Sequence, residues 1–274
     1  MADANAQPGK TQFAVFVKPW KNLSLPQLAI HVQHLGFNLI ELPVRPGFQV
    51  EPERFEQDMP GVVKFLADLG IRIVNVAVDM PLTDERLYAT CAANGITMNR
   101  VMFKRISPSY WESETAARRQ LDAAIPLCEQ YGVKLGIQNH YGGSVPINSM
   151  GLYQLVKDYD PRWVGAIWDA AHNALQGEDA QTGLELVQSH LCMVNLKNAF
   201  WRRTSQPDVN ETKWAAYFCA GPHGCISWAE VAAGVKRIGY QGPITFTAEY
   251  TDHTYTDRLL EADLAYARRL FDGA

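Results

Sequence analysis

Gln130–Gly142 reads QYGVKLGIQNHYG, and its reading decides the fold. A helical stretch ends at Gly132, the residue type that adopts the left-handed C′ conformation closing a helix without a Cβ clash. A short apolar run follows, nearly continuous in hydrophobic residues as expected of a parallel strand covered on both faces. The run ends in three polar residues, Gln138, Asn139 and His140.

The same join of helix, glycine and strand recurs in HLGFNLIEL (34–42), DLGIRIVNV (68–76), ANGITMNRV (93–101) and RIGYQGPITFTAEY (237–250). Further strand candidates lie at Phe13–Val17, Val164–Asp169 and Leu191–Lys197, which brings the total to eight. Ser24 with Gln27 and Ser227 with Glu230 match the capping box that opens a helix. Strand–helix alternation over 274 residues predicts an α/β fold, a single parallel (β/α)8 TIM barrel. An open doubly wound sheet fits less well, because no GxGxxG follows the first strand. The domain organisation expected is a disordered tail over 1–10 and a barrel over 11–274. A long loop after strand seven, at about 198–226, reads either as a binding loop or as a subunit contact.

Composition narrows the function. The net charge of −4 leaves no basic footprint for non-specific nucleic-acid binding. No apolar run approaches the roughly 20 residues of a membrane span, so no membrane partner is expected. MADANAQPGK has no apolar h-region, so no secretory signal is expected. Five cysteines with no CxxC pair suit free thiols in a reducing compartment, hence a cytoplasmic placement.

Chemistry in a parallel barrel sits where strands end and βα loops begin. The strand ends carry Glu41, Asp79, Gln138–Asn139–His140, Asp169 followed by His172, Asn195 with Lys197, and Glu249. Polar groups inside apolar strands are costly unless partnered, so several at one end indicate a shared polar site. Gln138, Asp169, Asn195 and Glu249 offer oxygen donors from four successive strands, enough to surround one cation.

These motifs resemble the xylose-isomerase-like barrels, the sugar-phosphate isomerase/epimerase group that shares its superfamily with class II AP endonucleases. Tagatose and psicose 3-epimerases and inosose-processing enzymes belong to that group. The resemblance spans nearly the whole chain and is strongest from strand five to strand eight. It implies E-N-H on strand five, D-x-x-H on strand six, H-x-K-D on strand seven and a glutamate ending strand eight. Mapped onto this chain, it implies a divalent metal, Mn2+ or Mg2+ (with Co2+ an alternative), at Gln138, Asp169, Asn195 and Glu249. It also implies catalytic roles for Glu249, His140, His172 and Lys197. Two ligand positions depart from the pattern: Gln138 stands for a glutamate and Asn195 for a histidine. An all-oxygen set favours hard ions, and an amide cannot act as a base.

The activity implied is a metal-assisted isomerase or epimerase acting on a keto-sugar or sugar derivative through an enediolate. Elimination next to the ketone of a 3-keto-glycoside, as a lyase or hydratase, is the first alternative. A non-catalytic barrel subunit of a sugar-processing complex is the second. A DNA-repair nuclease of the shared superfamily is disfavoured by the charge and by seven scattered histidines. The partner expected is a small carbohydrate, with self-association or a partner subunit left open. Candidate substrate-binding residues are Glu41, Trp20, Trp111, Trp201 and Arg202, with Lys18 beside Trp20. His31, His34 and His190 read as surface or helix-end residues.

Overall fold

The five glycines at the helix–strand joins, Gly36, Gly70, Gly95, Gly132 and Gly239, all adopt φ between 66° and 85°. Each reverses the chain from a helix into a strand. The computed structural model describes residues 11–273, so the tail expected over 1–10 lies outside the described residues. The barrel strands are β1 (Phe13–Phe16), β2 (Leu39–Val44), β3 (Arg72–Val78), β4 (Met98–Val101), β5 (Lys134–Gln138), β6 (Val164–Asp169), β7 (Leu191–Leu196) and β8 (Ile244–Phe246). They pair in parallel in chain order, and β8 returns to β1 to close the barrel. The fold is the (β/α)8 barrel that the alternation predicts.

Helices α1 (Leu25–His34), α2 (Phe55–Asp68), α3 (Glu85–Ala93), α4 (Tyr110–Tyr131) and α5 (Ser149–Val156) cover the first five strands. A short α6 (Ala170–Ala174) and then α7 (Ala180–Val187) follow β6, and α8 (Trp228–Arg237) and α9 (Thr256–Phe271) complete the ring. Gln27 accepts from the Ser24 backbone N–H at 2.9 Å, and Ser227 accepts from the N–H of Glu230 at 3.3 Å, so both helix starts are capped as expected. Among the described residues no helix is long and apolar enough to cross a membrane.

Trp168 and Trp228 are buried in the layer between strands and helices. Inside the barrel, Met98, Ile167 and Met193 form a separate plug. Gly136 makes room for it, since a Cβ there would lie 2.7 Å from Cδ1 of Ile167. Above the plug the register brings polar residues level: Glu41 sits beside Asn75, and Asp169 beside Asn195.

The segment 198–226, expected as a long loop, contains an antiparallel hairpin of Asn198–Arg203 and Trp214–Cys219. Two aromatic runs separated by the polar stretch SQPDVNETK pair across it, and the Phe200 and Tyr217 rings meet at 5.0 Å. Asn198 pins its base. The side-chain N–H groups of this fully buried residue donate to the carbonyls of Gly221 (2.6 Å) and Ile226 (2.7 Å). Its oxygen accepts from the N–H groups of Ala199 (2.9 Å) and Ile226 (3.2 Å). Gly224 permits the approach, because a Cβ there would fall 2.0 Å from the Asn198 oxygen.

Asn198→Ala leaves several buried backbone groups unpaired. Losing such bonds costs about 1–3 kcal/mol per orphaned group, partly relieved by water. We expect a loss of about 2–4 kcal/mol in chemical denaturation, and a loss below 0.5 kcal/mol would show that the hairpin base is held by other contacts.

Candidate active site

A fully buried carboxylate anchors the C-terminal mouth of the barrel. Asp169 ends β6 and caps α6, with Oδ1 accepting from the N–H of His172 at 3.2 Å. Its Oδ2 accepts from the amide N–H groups of Gln138 (2.8 Å) and Asn195 (3.2 Å). Gln138 Oε1 in turn accepts from Arg100 Nη1 at 2.8 Å. Arg100 Nε lies 2.6 Å from Glu41 Oε1, which also accepts from Asn75 at 2.9 Å. A continuous polar chain thus runs from β3 and β2 through β4 and β5 to β6 and β7.

Burial pushes the Asp169 carboxyl up, against the opposing pull of Lys197. Burial also raises the Glu41 carboxyl, against Arg100 and Asn75. The imidazole of His172 is buried, and together with the nearby Lys197 and His140 this holds its pKa well below the ordinary histidine value, so the ring is neutral.

A second cluster lies across the mouth. Glu249 follows Ala248, whose φ of 52° places a non-glycine residue in the left-handed region. The Glu249 carboxylate pairs with Lys18 through Oε1 and with Lys197 Nζ through Oε2 at 3.0 Å. Burial works to raise its pKa, but the charges and hydrogen bonds of Lys197 and Lys18 outweigh it and hold the carboxyl well below the usual range. Lys197 Nζ also lies 4.0 Å from the centre of the Phe218 ring, a cation–π contact supplied by the hairpin.

The third element is a pair of imidazoles. The rings of His140 and His172 are 3.9 Å apart, and Tyr141 stacks beside both. His140 Nδ1 lies 2.9 Å from the carbonyl of Tyr141. A carbonyl only accepts, so Nδ1 carries a hydrogen, and in the neutral form of this half-buried ring the lone pair is on Nε2.

Of the four expected metal positions, Gln138, Asp169 and Glu249 have side-chain oxygens engaged by other groups, whereas Asn195 Oδ1 is buried without a partner. Gln138 Oε1 faces a guanidinium, and the N–H groups of Gln138 and Asn195 point at the carboxylate. Flipping the Gln138 amide would set N–H against guanidinium and oxygen against carboxylate, so its orientation is forced. Asp169 Oδ2 is filled by two amides, and Glu249 is held by two ammonium groups. Four cations (Lys18, Arg45, Arg100, Lys197) already surround three carboxylates (Glu41, Asp169, Glu249). Among the described residues no cluster of three or more His, Cys, Asp or Glu side chains is placed to hold a metal. A metal at Gln138, Asp169, Asn195 and Glu249 would have to displace these contacts.

The other expected residues are placed as follows. Glu41 is fully buried and bonded to Arg100 and Asn75, so it supports Arg100 and presents no surface to a ligand. Trp201 donates from Nε1 to the carbonyl of Leu175 (2.9 Å) and meets Tyr141 edge-on, fastening the hairpin beside the imidazole pair. Trp20 turns away to Asp257 and His31. Trp111 is 67% exposed, and its ring meets that of its neighbour Tyr110 edge-on. Arg202 lies over Tyr217 on the hairpin itself. Arg100, Asn75 and Arg45 are the residues that reading strand ends misses. The signal for Arg100 is present, a charged residue inside the otherwise apolar strand of ANGITMNRV.

Residues 9–270 match the family model described as a xylose isomerase-like TIM barrel. The solved structure of D-psicose 3-epimerase with D-tagatose from Clostridium cellulolyticum H10 is 13% identical, with a TM-score of 0.71 over 96% of this chain and 100% of that one. A xylose isomerase-like TIM barrel protein from Mycobacterium smegmatis in complex with magnesium gives 14% identity and a TM-score of 0.71, covering 96% and 97%. At those identities the likeness is one of fold. An uncharacterized protein of Methanocaldococcus jannaschii is 25% identical over 127 residues, 46% of this chain and 40% of that relative.

Two outcomes follow from the ion pairs. Arg100→Met strands the buried Glu41, and breaking a buried pair from one side costs about 3–5 kcal/mol. The double variant Arg100→Met/Glu41→Gln should regain part of that in denaturant titration, whereas strict additivity would disprove the coupling. The second outcome concerns pH. The folded pKa of Glu249 is depressed, so its lysine contacts stabilise the fold fully above the unfolded value of about 4.3. That contribution is lost as pH falls through the folded value. The melting-temperature difference between wild type and Lys18→Met should therefore be largest near pH 7 and shrink towards pH 3. A difference independent of pH would mean that Lys18 acts by packing alone.

Proposed function

The chain belongs to the xylose isomerase-like TIM barrel family, and from that premise we propose that its barrel mouth isomerises or epimerises a small carbohydrate by moving a proton next to a carbonyl. The observation that carries this reading is the pairing of a basic nitrogen with fixed cations at one end of a closed barrel. Nε2 is the unprotonated nitrogen of the neutral His140 ring, and Lys197 and Arg100 supply positive charge near His172, whose ring lies 3.9 Å from that of His140.

In the proposed step the substrate carbonyl oxygen lies near the ammonium of Lys197. His140 Nε2 takes the proton from the adjacent carbon, the C–H electron pair becomes the new C=C bond, and the carbonyl electrons move onto oxygen. Lys197 stabilises the resulting enediolate, the task of an oxyanion hole. Inversion of that carbon takes a proton from a water molecule on its opposite face, and the hydroxide so formed is neutralised by the proton that His140 holds. Delivery to the neighbouring carbon, with a proton shift between the oxygens, exchanges aldose for ketose. Arg100, held by Glu41 and Gln138, contributes a fixed charge that needs no reorganisation when the oxyanion forms. Asp169 and the neutral His172 hold the wall against which His140 packs. Glu249, held ionised by its lysines, is a weak base and orients Lys197. No contact favours elimination from a 3-keto-glycoside, and that alternative is not carried further.

The test is deuterium uptake from heavy water into ketoses (D-tagatose, D-psicose, D-fructose and L-ribulose), followed by NMR with chelator present. We expect wild-type exchange that chelation leaves unchanged, and a fall of about 100-fold or more in His140→Gln, the usual contribution of a general base. Exchange that vanishes with chelator would overturn the side-chain charge mechanism. Exchange that survives His140→Gln would remove His140 as the base.

A further inference from the structure

Arg45 directly follows β2 at the mouth, and its half-buried guanidinium makes no hydrogen bond or ion pair with any described residue. Its Cζ lies 5.8 Å from the centre of the Phe16 ring, and Arg100 covers the same ring at 4.2 Å. Two guanidinium groups thus share one aromatic ring, and only Arg100 is neutralised by contact, through Glu41. Burial and the Arg100 charge work against the charged form of Arg45 and outweigh the pull of Glu41, Asp79 and Glu249 in its favour. A half-buried cation without a partner is costly, and the cost is relieved by an anion.

The structure offers a place for one. Beside Arg45 a cavity of about 390 Å3 opens between the ends of β3 and β4. It is lined by Arg45, Arg100, Lys104, Asp79, Met80 and Phe103 among others, with Asp79 as its single carboxylate against three cations. Lys104 is exposed and, like Asp79, makes no ion pair with a described residue. The Asp79 backbone N–H donates to the carbonyl of Val44 at 3.0 Å, and its carboxylate attracts Arg45 without forming an ion pair with it. The volume falls in the range of small-molecule sites, and Arg100 belongs both to this cavity and to the mouth.

We propose that this cavity is an oxyanion-binding subsite in which Arg45, assisted by Lys104, holds a carboxylate or phosphate group of the substrate while its carbohydrate body reaches the mouth past Arg100. The proposal rests on the functional reading above and narrows its substrate class to a sugar acid or sugar phosphate. The planar guanidinium fork suits either group through paired N–H donors.

Inorganic phosphate and acetate serve as probes, titrated at low ionic strength into wild type and variants by calorimetry and by NMR of the arginine guanidinium signals. We expect one saturable site, with affinity reduced about tenfold or more in Arg45→Met, partly recovered in Arg45→Lys, and reduced several-fold in Lys104→Met. The tighter probe distinguishes a phosphate from a carboxylate. Absence of saturable binding in wild type, or binding unchanged in Arg45→Met, would overturn the subsite. Should Arg45→Met fail to fold, the signals of Arg45 in wild type and the Lys104→Met affinity decide the same question. Deuterium uptake by wild type into neutral ketoses reports on the mouth separately. Anion binding without exchange in any sugar keeps the subsite and removes the functional reading. Exchange without anion binding does the reverse.

Discussion

Asp169 is a carboxylate with no exposed surface at the closed end of a strand, and the lone pairs of such a group must be filled from within the protein. Its backbone and side chain engage His172, Asn139, Gln138 and Asn195, drawn from three strands and their loops. That requirement fixes the orientation of Gln138, which then presents its oxygen to Arg100. Arg100 in turn pairs with Glu41, and Glu41 with Asn75. One buried charge thus propagates an ordered donor–acceptor sequence around most of the mouth, although Glu41 Oε2, Asn75 Oδ1 and Asn195 Oδ1 are buried without a partner. Removing any link leaves a polar group in a place that water does not reach.

Much of the fold can be read from the sequence because its signals are local. The glycine at each helix–strand join, the apolar run after it and the serine caps lie within a few residues of one another, and the left-handed φ at Gly36, Gly70, Gly95, Gly132 and Gly239 follows from them. The polar strand ends are legible too, since Gln138, Asp169, Asn195, Lys197 and Glu249 interrupt apolar runs. What they bond to is not legible. Whether Gln138 turns oxygen or nitrogen inward depends on Arg100, 38 residues earlier. Whether Glu249 is a free base depends on Lys18, 231 residues away. Such pairings depend on the closure of the barrel, and composition carries no trace of it. The hairpin at 198–203 and 214–219 is missed for a related reason. Its strands pair only with each other above the mouth, so the barrel rhythm does not announce them.

The charge pattern separates this mouth from the one that the family resemblance implies. In that pattern, several carboxylates and a histidine gather around one dication. Here two of those positions are amides, and the positive charge comes from side chains rooted in β1, β4 and β7 or just beyond their ends. A guanidinium and an ammonium are directional where an ion is not, and they cannot exchange with solvent. They also cannot be withdrawn by a chelator. The share of the mouth's electrostatic environment that these side chains supply is thereby encoded in the chain.

Ala248 adds a last consideration. A methyl-bearing residue in the left-handed region costs about 1 kcal/mol relative to a right-handed one, and glycine would relieve it. Glycine would also widen the range of conformations open to the unfolded chain, an entropic cost of nearly the same size. The two terms come close to cancelling, so global stability gives little reason to prefer either residue. What differs is the width of the backbone well. With alanine, the peptide preceding Glu249 has few alternatives nearby, and the carboxylate reaches the ammonium groups of Lys18 and Lys197 from a fixed origin. At this position the side chain selects for angular precision at almost constant free energy.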